Sequence, residues 1–409
     1  MRKILEVLEN SRIIHNNQVR EVQLIEAREL KKNKQELLEF INFAWEIYKN
    51  DPHWVPPLKN DLLSSFLNTG NNSNGKINCG PHAFFMAWEN DTPLGRVLVG
   101  INQEKNIRIR DNVGYFGYLE VVNSQPALEA IMDKALEWLK GYGIDCIVGP
   151  LCPDDDVEGR GVLIKGFDSP PILMNPYNPP YYQTLLKNAG FTKDMDFYAY
   201  YSNELGKLKG KIERLADYAM KKFNFTVEKV NFKKLDAEIK DACQIFEKII
   251  KAGNEVDNGF EYSNPPTFES FFEEMKKYLP FLDKDLIYIA RSEGKPIGFV
   301  LAIPDYNQVL KKINGKLFPF GLFKYLWYKQ KINGIRGFAQ FVIPEFQNKA
   351  VNGAMFKHII EVSEKKGYDY FEASTICEHN LPSRRTFENE GLSPYKIYRV
   401  YRKGNRKSN

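Results

Sequence analysis

The order of expected elements runs twice along this chain, and that repetition limits the fold more than any single motif does. From Val19, VREVQLIEA reads as a strand and ELLEFINFAWEIYK as a helix, with Leu37, Phe40, Ile41, Ala44, Trp45 and Tyr48 at helical spacing. Pro52, Pro56 and Pro57 stop that helix, LKNDLLSSFL starts another, and HAFFMAWE, GRVLVGINQ and NVGYFGYLEVV read as strands, the first two joined by a turn at Asn90 to Pro93. The helix PALEAIMDKALEWLKGYG, the strand DCIVGPL, the helix YYQTLLKNAGF and the strand DFYAYYS complete a unit by about Tyr201. The second half repeats this order: VEKVNF, two helices (EIKDACQIFEKIIKAG and TFESFFEEMKKYL), the strand pair in LIYIARSEGKPIGFVLAIPD, then GIRGFAQFVI, GAMFKHIIEVSEKKG, YDYFEAST, LPSRRTFENEG and YKIYRVYRK. The pattern predicts an α/β chain with mixed (α+β) sheets in two tandem units. Its expected boundaries are an extension over 1–18, a first domain over 19–202, a solvated connecting helix over 203–230, a second domain over 231–402 and a basic tail over 403–409.

Several function classes lose their signals at this point. No apolar run approaches the ~20 residues of a membrane span, and Glu6, Glu9 and Arg12 interrupt the stretch where a secretory leader needs its apolar core. The expected location is therefore the cytoplasm. The 57 basic and 52 acidic residues are too evenly matched to suggest nucleic acid. Cys79, Cys146, Cys152, Cys243 and Cys377 form no CxxC pair and read as reduced, mostly buried thiols, so no metal site is expected. HExxH, GxSxG and GxxxxGK[ST] are all absent.

In the second half, VIPEFQNKAVNGAMF places a strand, a loop of small residues and a helix in succession. With NLPSRRTFENEGL downstream, this resembles the GCN5-related N-acetyltransferase (GNAT) superfamily, and more closely a group of bacterial tandem proteins, over nearly all of residues 19–402. The resemblance implies two acyl-CoA N-acyltransferase-like domains. It also implies an R/Q-x-x-G-x-G/A loop whose amides, with the following helix start, meet the diphosphate of acetyl-CoA or a longer acyl-CoA. Gln347 matches the first motif position, Ala350 replaces the first glycine and Asn352 the second, while Asn352 and Gly353 can still adopt unusual backbone angles. The cofactor-binding set so implied is Phe341, Val342, Ile343, Gln347, Asn348, Lys349, Ala350, Val351, Asn352, Gly353 and Asn380. Phe387 stands where the family often has a tyrosine that protonates the leaving thiolate, and it has no proton to give.

The first half keeps only Asn123, Ser124 and Gln125 between strand and helix, too short for a phosphate cradle, so acyl-CoA is expected in the second half. The first half supplies instead GPLCPDDDVEGRGVLIKGFDSPPILMNPYNPPYY, whose GFDSPP and YNPPYY pattern is characteristic of the tandem group. A rigid loop of this kind suits an acceptor pocket. The candidate catalytic residues are Glu120, at a strand end where the family places a general base, with Asp168 and Tyr177. Asp154, Asp155, Asp156 and Glu158 read equally as a solvated turn, and Tyr177, Tyr181 and Tyr182 as packing aromatics.

Residues 306–336 hold seven basic residues (Lys311, Lys312, Lys316, Lys324, Lys329, Lys331, Arg336), seven aromatics and no acid. Such a segment suits an interfacial helix on anionic lipid, a cover over a long acyl chain, or a hairpin packed on its own domain. The expectation is an acyl-CoA-dependent N-acyltransferase acting on a primary amine, a small molecule or a lipid amine such as a sphingoid base, with peripheral contact at the inner membrane surface and no nucleic acid partner. The alternatives are a catalytically decayed ligand-binding or regulatory module and a membrane-associated scaffold using residues 306–336.

Overall fold

The computed structural model describes residues 25–67, 80–151, 159–253, 278–317 and 320–405, together with 269 and 272. The 1–18 extension, the start of the Val19 strand, Asp154 to Asp156, Glu158, Cys79, Cys152 and nearly all of TFESFFEEMKKYL lie outside the described residues. The first half runs β1 (Ile25–Glu29), α1 (Lys34–Ile47), α2 (Lys59–Leu67), β2 (His82–Glu89), β3 (Thr92–Gly100), α3 (Gln103–Ile109), β4 (Gly114–Val121), α4 (Gln125–Lys140), β5 (Ile147–Gly149), β6 (Val162–Lys165), α5 (Tyr182–Asn188) and β7 (Thr192–Ser202). The second runs α6 (Leu205–Phe223), β8 (Thr226–Lys229), α7 (Leu235–Gly253), β9 (Ile287–Ser292), β10 (Lys295–Pro304), α8 (Asn307–Ile313), α9 (Gly321–Lys329), β11 (Gly334–Val342), α10 (Val351–Lys366), β12 (Tyr370–Cys377), α11 (Leu381–Glu388) and β13 (Lys396–Lys403).

Local chemistry explains the clearest of these elements. Asn33 caps α1, its side chain accepting from Glu36 N at 3.0 Å, and Leu37, Phe40, Ile41 and Ala44 then fall on one buried face. Ser124 caps α4, a proline occupies its first turn, and Leu128, Ile131, Ala135 and Leu139 are buried along it. The β2–β3 hairpin turns through Asn90 at φ 54°, a conformation that asparagine tolerates. Helix α3 and strand β6 are additional to the sequence reading; α3 is short, and its N-cap Asn102 is its main local signal.

All strands form one 13-stranded sheet in the order β1-β2-β3-β4-β5-β13-β7-β12-β11-β10-β9-β8, with β6 beside β13. Strand β13, the last of the second half, pairs with β5 of the first half through Tyr401 and Gly149. Strand β7, the last of the first half, pairs with β12 of the second from Phe371–Ser202 to Cys377–Phe197. The two halves therefore exchange their final strands. Buried ion pairs tie the exchange down: Arg402 on β13 meets Asp194 at 2.8 Å and Asp111 at 3.0 Å, and Arg399 meets Asp196 at 2.8 Å.

The 203–230 stretch is more than a solvated connector. Helix α6 lies along α10 and sends Ala216 and Ala219 into the second core, and residues 226–229 are β8, paired antiparallel with β9. Ile212, Ala216, Ala219, Met220 and Phe223 form the side of α6 that meets this core, and the many charges between them dominate its sequence. Among the described cysteines, Cys146, Cys243 and Cys377 are buried thiols outside any disulfide. No described helix is long and apolar enough to cross a membrane.

Candidate active site

Strand β11 parts from β12 after its first four residues. Strand β11 pairs with β10 along its length, from Pro304–Ile335 to Gly298–Val342. It pairs with β12, in parallel, only through Gly334 to Gly337. A bulge falls at this parting, since Gly337 faces Ala302 and Ala339 faces Leu301, leaving Phe338 as the extra residue. From Phe338 onward, among the described residues, no strand covers the β12 side of β11.

The first half repeats this device and closes it. Strand β4 pairs in parallel with β5 only at Gly114 and Tyr115, and carries a bulge between Gly117 and Glu120. Beyond the bulge, Val121 N donates to Tyr182 Oη at 2.9 Å, and Tyr181 Oη donates to Val121 O at 2.7 Å. The edge that lies open on β11 is thus filled on β4 by the last two tyrosines of YNPPYY.

The open edge of β11 leads to the start of α10. Pro344 to Phe346 form a short 3-10 turn, Gln347 is extended, and Asn348 (φ 60°) and Ala350 (φ 55°) are left-handed. The unusual backbone angles expected at Asn352 and Gly353 are found instead at Asn348 and Ala350, and Asn352 and Gly353 are ordinary helical residues. Asparagine accepts this conformation readily; alanine does so at a cost of about 1–2 kcal/mol. No side chain caps α10, which leaves its first amides to another acceptor. A methyl group added at Gly353 would meet nothing within 4 Å, so the space beside the first turn is open. Asn352 Oδ1 is buried without a hydrogen-bond partner, and Lys349 Nζ lies 4.5 Å from the ring centre of Phe346. Gln347 Nε2 reaches Val342 O at 3.3 Å, joining loop to strand.

Two motif residues have structural duties. Asn380 caps α11, its Oδ1 accepting from Ser383 N at 3.2 Å. Phe387 is buried and stacked at 5.3 Å on Tyr200, which β7 brings across from the first half; Tyr200 Oη donates to Glu388 Oε1 at 2.7 Å.

Glu120 and Tyr177 come together, while Asp168 stands apart. Glu120 Oε2 lies 2.7 Å from Tyr48 Oη and 2.8 Å from Tyr182 Oη, and Arg96 Nη2 is 3.7 Å from Oε1. Burial raises the Glu120 pKa, against the pull of Arg96 and the two phenols. Tyr48 Oη is also 3.1 Å from Tyr177 O, and Tyr177 Oη donates to Asp51 Oδ2 at 2.9 Å. Burial, helped by Asp51, raises the Tyr177 pKa. Asp168 is exposed on a turn and acts electrostatically on Lys396.

Much of the marker segment between Gly166 and Asn178 is bolted into the second half. Lys396 Nζ donates to Gly166 O and, at 2.8 Å, to Ser169 O; Asn307 Nδ2 donates to Pro171 O at 2.8 Å. Leu173 N donates to Asp305 Oδ1 at 3.0 Å, and Arg336 donates to Leu173 O and, at 3.0 Å, to Ser374 O. Asn175 Nδ2 meets Glu372 Oε1 at 2.7 Å, and Tyr395 Oη donates to the other Glu372 oxygen. Burial pulls the Lys396 pKa down to about 8. The sequence reading passed over Asp305, Glu372 and Lys396 and counted Arg336 with the basic surface segment, whereas it is buried on β11; their signal is a lone charge inside an apolar strand, as in GIRGFAQ and YFEAST, or at a strand end.

Asp305 carries a pH dependence. Burial pushes its pKa from 3.8 up to about 6, although Tyr370 and two amides pull it down. A carboxyl raised in this way favours the folded state below about pH 4 and loses that contribution as pH rises through about 6, a span of roughly 3 kcal/mol. Asp305→Asn is therefore expected to flatten the stability curve over that range, as measured by urea unfolding at several pH values. Equal slopes for the two proteins would exonerate Asp305.

Comparison with known proteins adds a family context. Residues 256–391 match the family described as Acetyltransferase (GNAT) family. The chain is 29% identical over 385 residues to Protein YghO of Escherichia coli (strain K12), covering 91% of this chain and 93% of that one. It is 26% identical over 388 residues to the Bacterial ceramide synthase of Caulobacter vibrioides (strain NA1000 / CB15N), covering 91% and 96%. Among solved structures, a tandem GNAT protein from the clavulanic acid biosynthesis pathway superposes with a TM-score of 0.53 at 11% identity, over 94% of this chain and 99% of that one. At that identity the likeness is one of fold.

Proposed function

We propose, from the tandem GCN5-related N-acetyltransferase fold that this chain has, that it is an acyl-CoA-dependent N-acyltransferase acting on a primary amine. The observation that carries this reading is the open edge of β11 running directly into an uncapped helix start. The donor supplies an activated acyl group. Its diphosphate is assigned to the amides of Val351, Asn352 and Gly353 and the loop Gln347 to Ala350, where helix dipole and unpaired N–H groups both favour negative charge. Phe341, Val342 and Ile343 line the strand edge above; Ile343 N is spent on Ile297 O, and the alternate amides of Phe338 to Val342 that point away from β10 are the donors placed to hold a carbonyl oxygen. Asn380 contributes by fixing α11.

On the acceptor side, Glu120 already accepts from two phenols, so its role is to hold Tyr48 and Tyr182 in place. The carboxylates of Asp51 and of the exposed Asp168 remain to take the proton that an ammonium must lose before attack, Tyr177 passing it on by giving its own proton to Asp51. A lipid amine such as a sphingoid base is the acceptor class favoured by the ceramide synthase relative.

A second reading, a ligand-binding module without turnover, is favoured by Phe387, a phenyl ring in the position that the family gives to an acid. Calorimetric titration with acetyl-CoA and palmitoyl-CoA, followed by turnover on a panel of amines, separates the two. Acyl-CoA binding with turnover supports the enzyme, binding without turnover the module, and binding of neither thioester removes both.

A further inference from the structure

Helix α9 turns its apolar side away from the protein. At about 100° per residue, Phe320, Leu322, Phe323, Leu326 and Trp327 occupy one arc of about 160°, opposite Gly321 and Tyr325. Gly321 is buried, and Tyr325 stacks on Tyr306 at 6.2 Å. On the outward arc, Phe320 is 73% exposed, Phe323 74% and Trp327 64%. Of the hairpin expected to pack on its own domain, only α8 does so fully, through Val309 and Ile313. The arc is bordered by Lys324 on one side and Lys329 on the other, and Lys331 Nζ sits 4.6 Å from the Trp327 ring centre.

The support beneath this helix is firm. Trp45 Nε1 donates to Asn314 Oδ1 at 3.3 Å, Lys59 N donates to Gly315 O at 3.3 Å, and Lys311 Nζ donates to Pro52 O. Both halves of the molecule thus hold the hairpin that carries the exposed arc.

We infer that α9 docks the protein on an anionic lipid bilayer, with Phe320, Phe323 and Trp327 among the headgroups and the bordering lysines against lipid phosphate. An aromatic arc facing outward suits the boundary between headgroups and acyl chains, and the six lysines of residues 306–331, with no acid among them, select a negative surface over a neutral one, the seventh basic residue of the segment, Arg336, being buried in the network below. This inference stands apart from acyl transfer, because its readout is binding alone.

Flotation with phosphatidylcholine vesicles, with and without phosphatidylglycerol, tests it. The full chain is expected to float with the anionic vesicles, less so as salt rises. Phe323→Ser with Trp327→Ser is expected to weaken the partition by about tenfold or more, at an unchanged melting temperature because both side chains lie outside the core. Lys324→Glu with Lys329→Glu is expected to abolish the preference for anionic lipid. Equal flotation with both vesicle types would overturn the inference. So would concentration-dependent self-association of the wild-type chain that the Phe323, Trp327 variant lacks, since a second copy would then cover the arc.

Discussion

Gly353→Glu is expected to lower the affinity for acyl-CoA by about a hundredfold while leaving the protein as stable as before, or more so. The two effects have separate causes. A carboxylate at about 5 Å from a phosphate, at an effective dielectric of about 20, opposes it by roughly 3 kcal/mol per unit charge, which is about two decades of affinity. The same substitution removes a glycine from a helix, worth about 0.5–1 kcal/mol, and places an acid in the first turn, where the helix dipole favours it. Nothing within 4 Å obstructs the new side chain at its root. Calorimetry and thermal melts on the same samples read both effects, with Gly353→Ala as the control that should keep its affinity. Unchanged binding by the glutamate variant would mean that the diphosphate lies elsewhere.

Arg336→Ala is expected to destabilise the protein by about 3–5 kcal/mol, the range for removing one partner from a buried charged network. Arg336 is 2% exposed, its guanidinium donates to Ser374 O and Leu173 O, and it compensates the charge of the buried Glu372. Its loss strands two carbonyls and takes the nearby positive charge from Glu372, which keeps its hydrogen bonds from Asn175, Ser374 and Tyr395. Urea unfolding measures the cost. Limited proteolysis should show cleavage between Gly166 and Asn178, the segment released from its anchors. Adding Glu372→Gln should recover part of the loss, because the two residues act together. A cost under about 1 kcal/mol would show that the network carries little of the stability.

What was legible in the sequence was what periodicity and punctuation report. The duplicated order of elements, the hairpin at Asn90, the α4 helix bounded by proline and glycine, and the loop from Gln347 to Gly353 all have local causes. Strand exchange has none: β7 and β13 read as strands, but a strand's sequence does not say which neighbour it pairs with. Arg336 and Glu372 were hidden for the same reason, since each is a single charge whose partner lies far away in the chain. The Lys and aromatic content of residues 306–336 was plain; that α9 points its rings outward depends on which side Gly321 and Tyr325 present to the protein. At the loop itself, the chain bends at Asn348 and Ala350, before the helix begins, which residue preference alone placed three to four positions too late.

The crossing of β7 and β13 bears on how the duplicated gene can age. While the chain is being synthesised, β5 waits for β13, so the first half cannot finish its sheet until the second half has been made. Truncation after the first copy would leave raw edges open to aggregation. Losing that copy would equally leave β12 without its partner. A copy whose strand-to-helix link is too short for a phosphate loop is therefore still indispensable, kept by architecture.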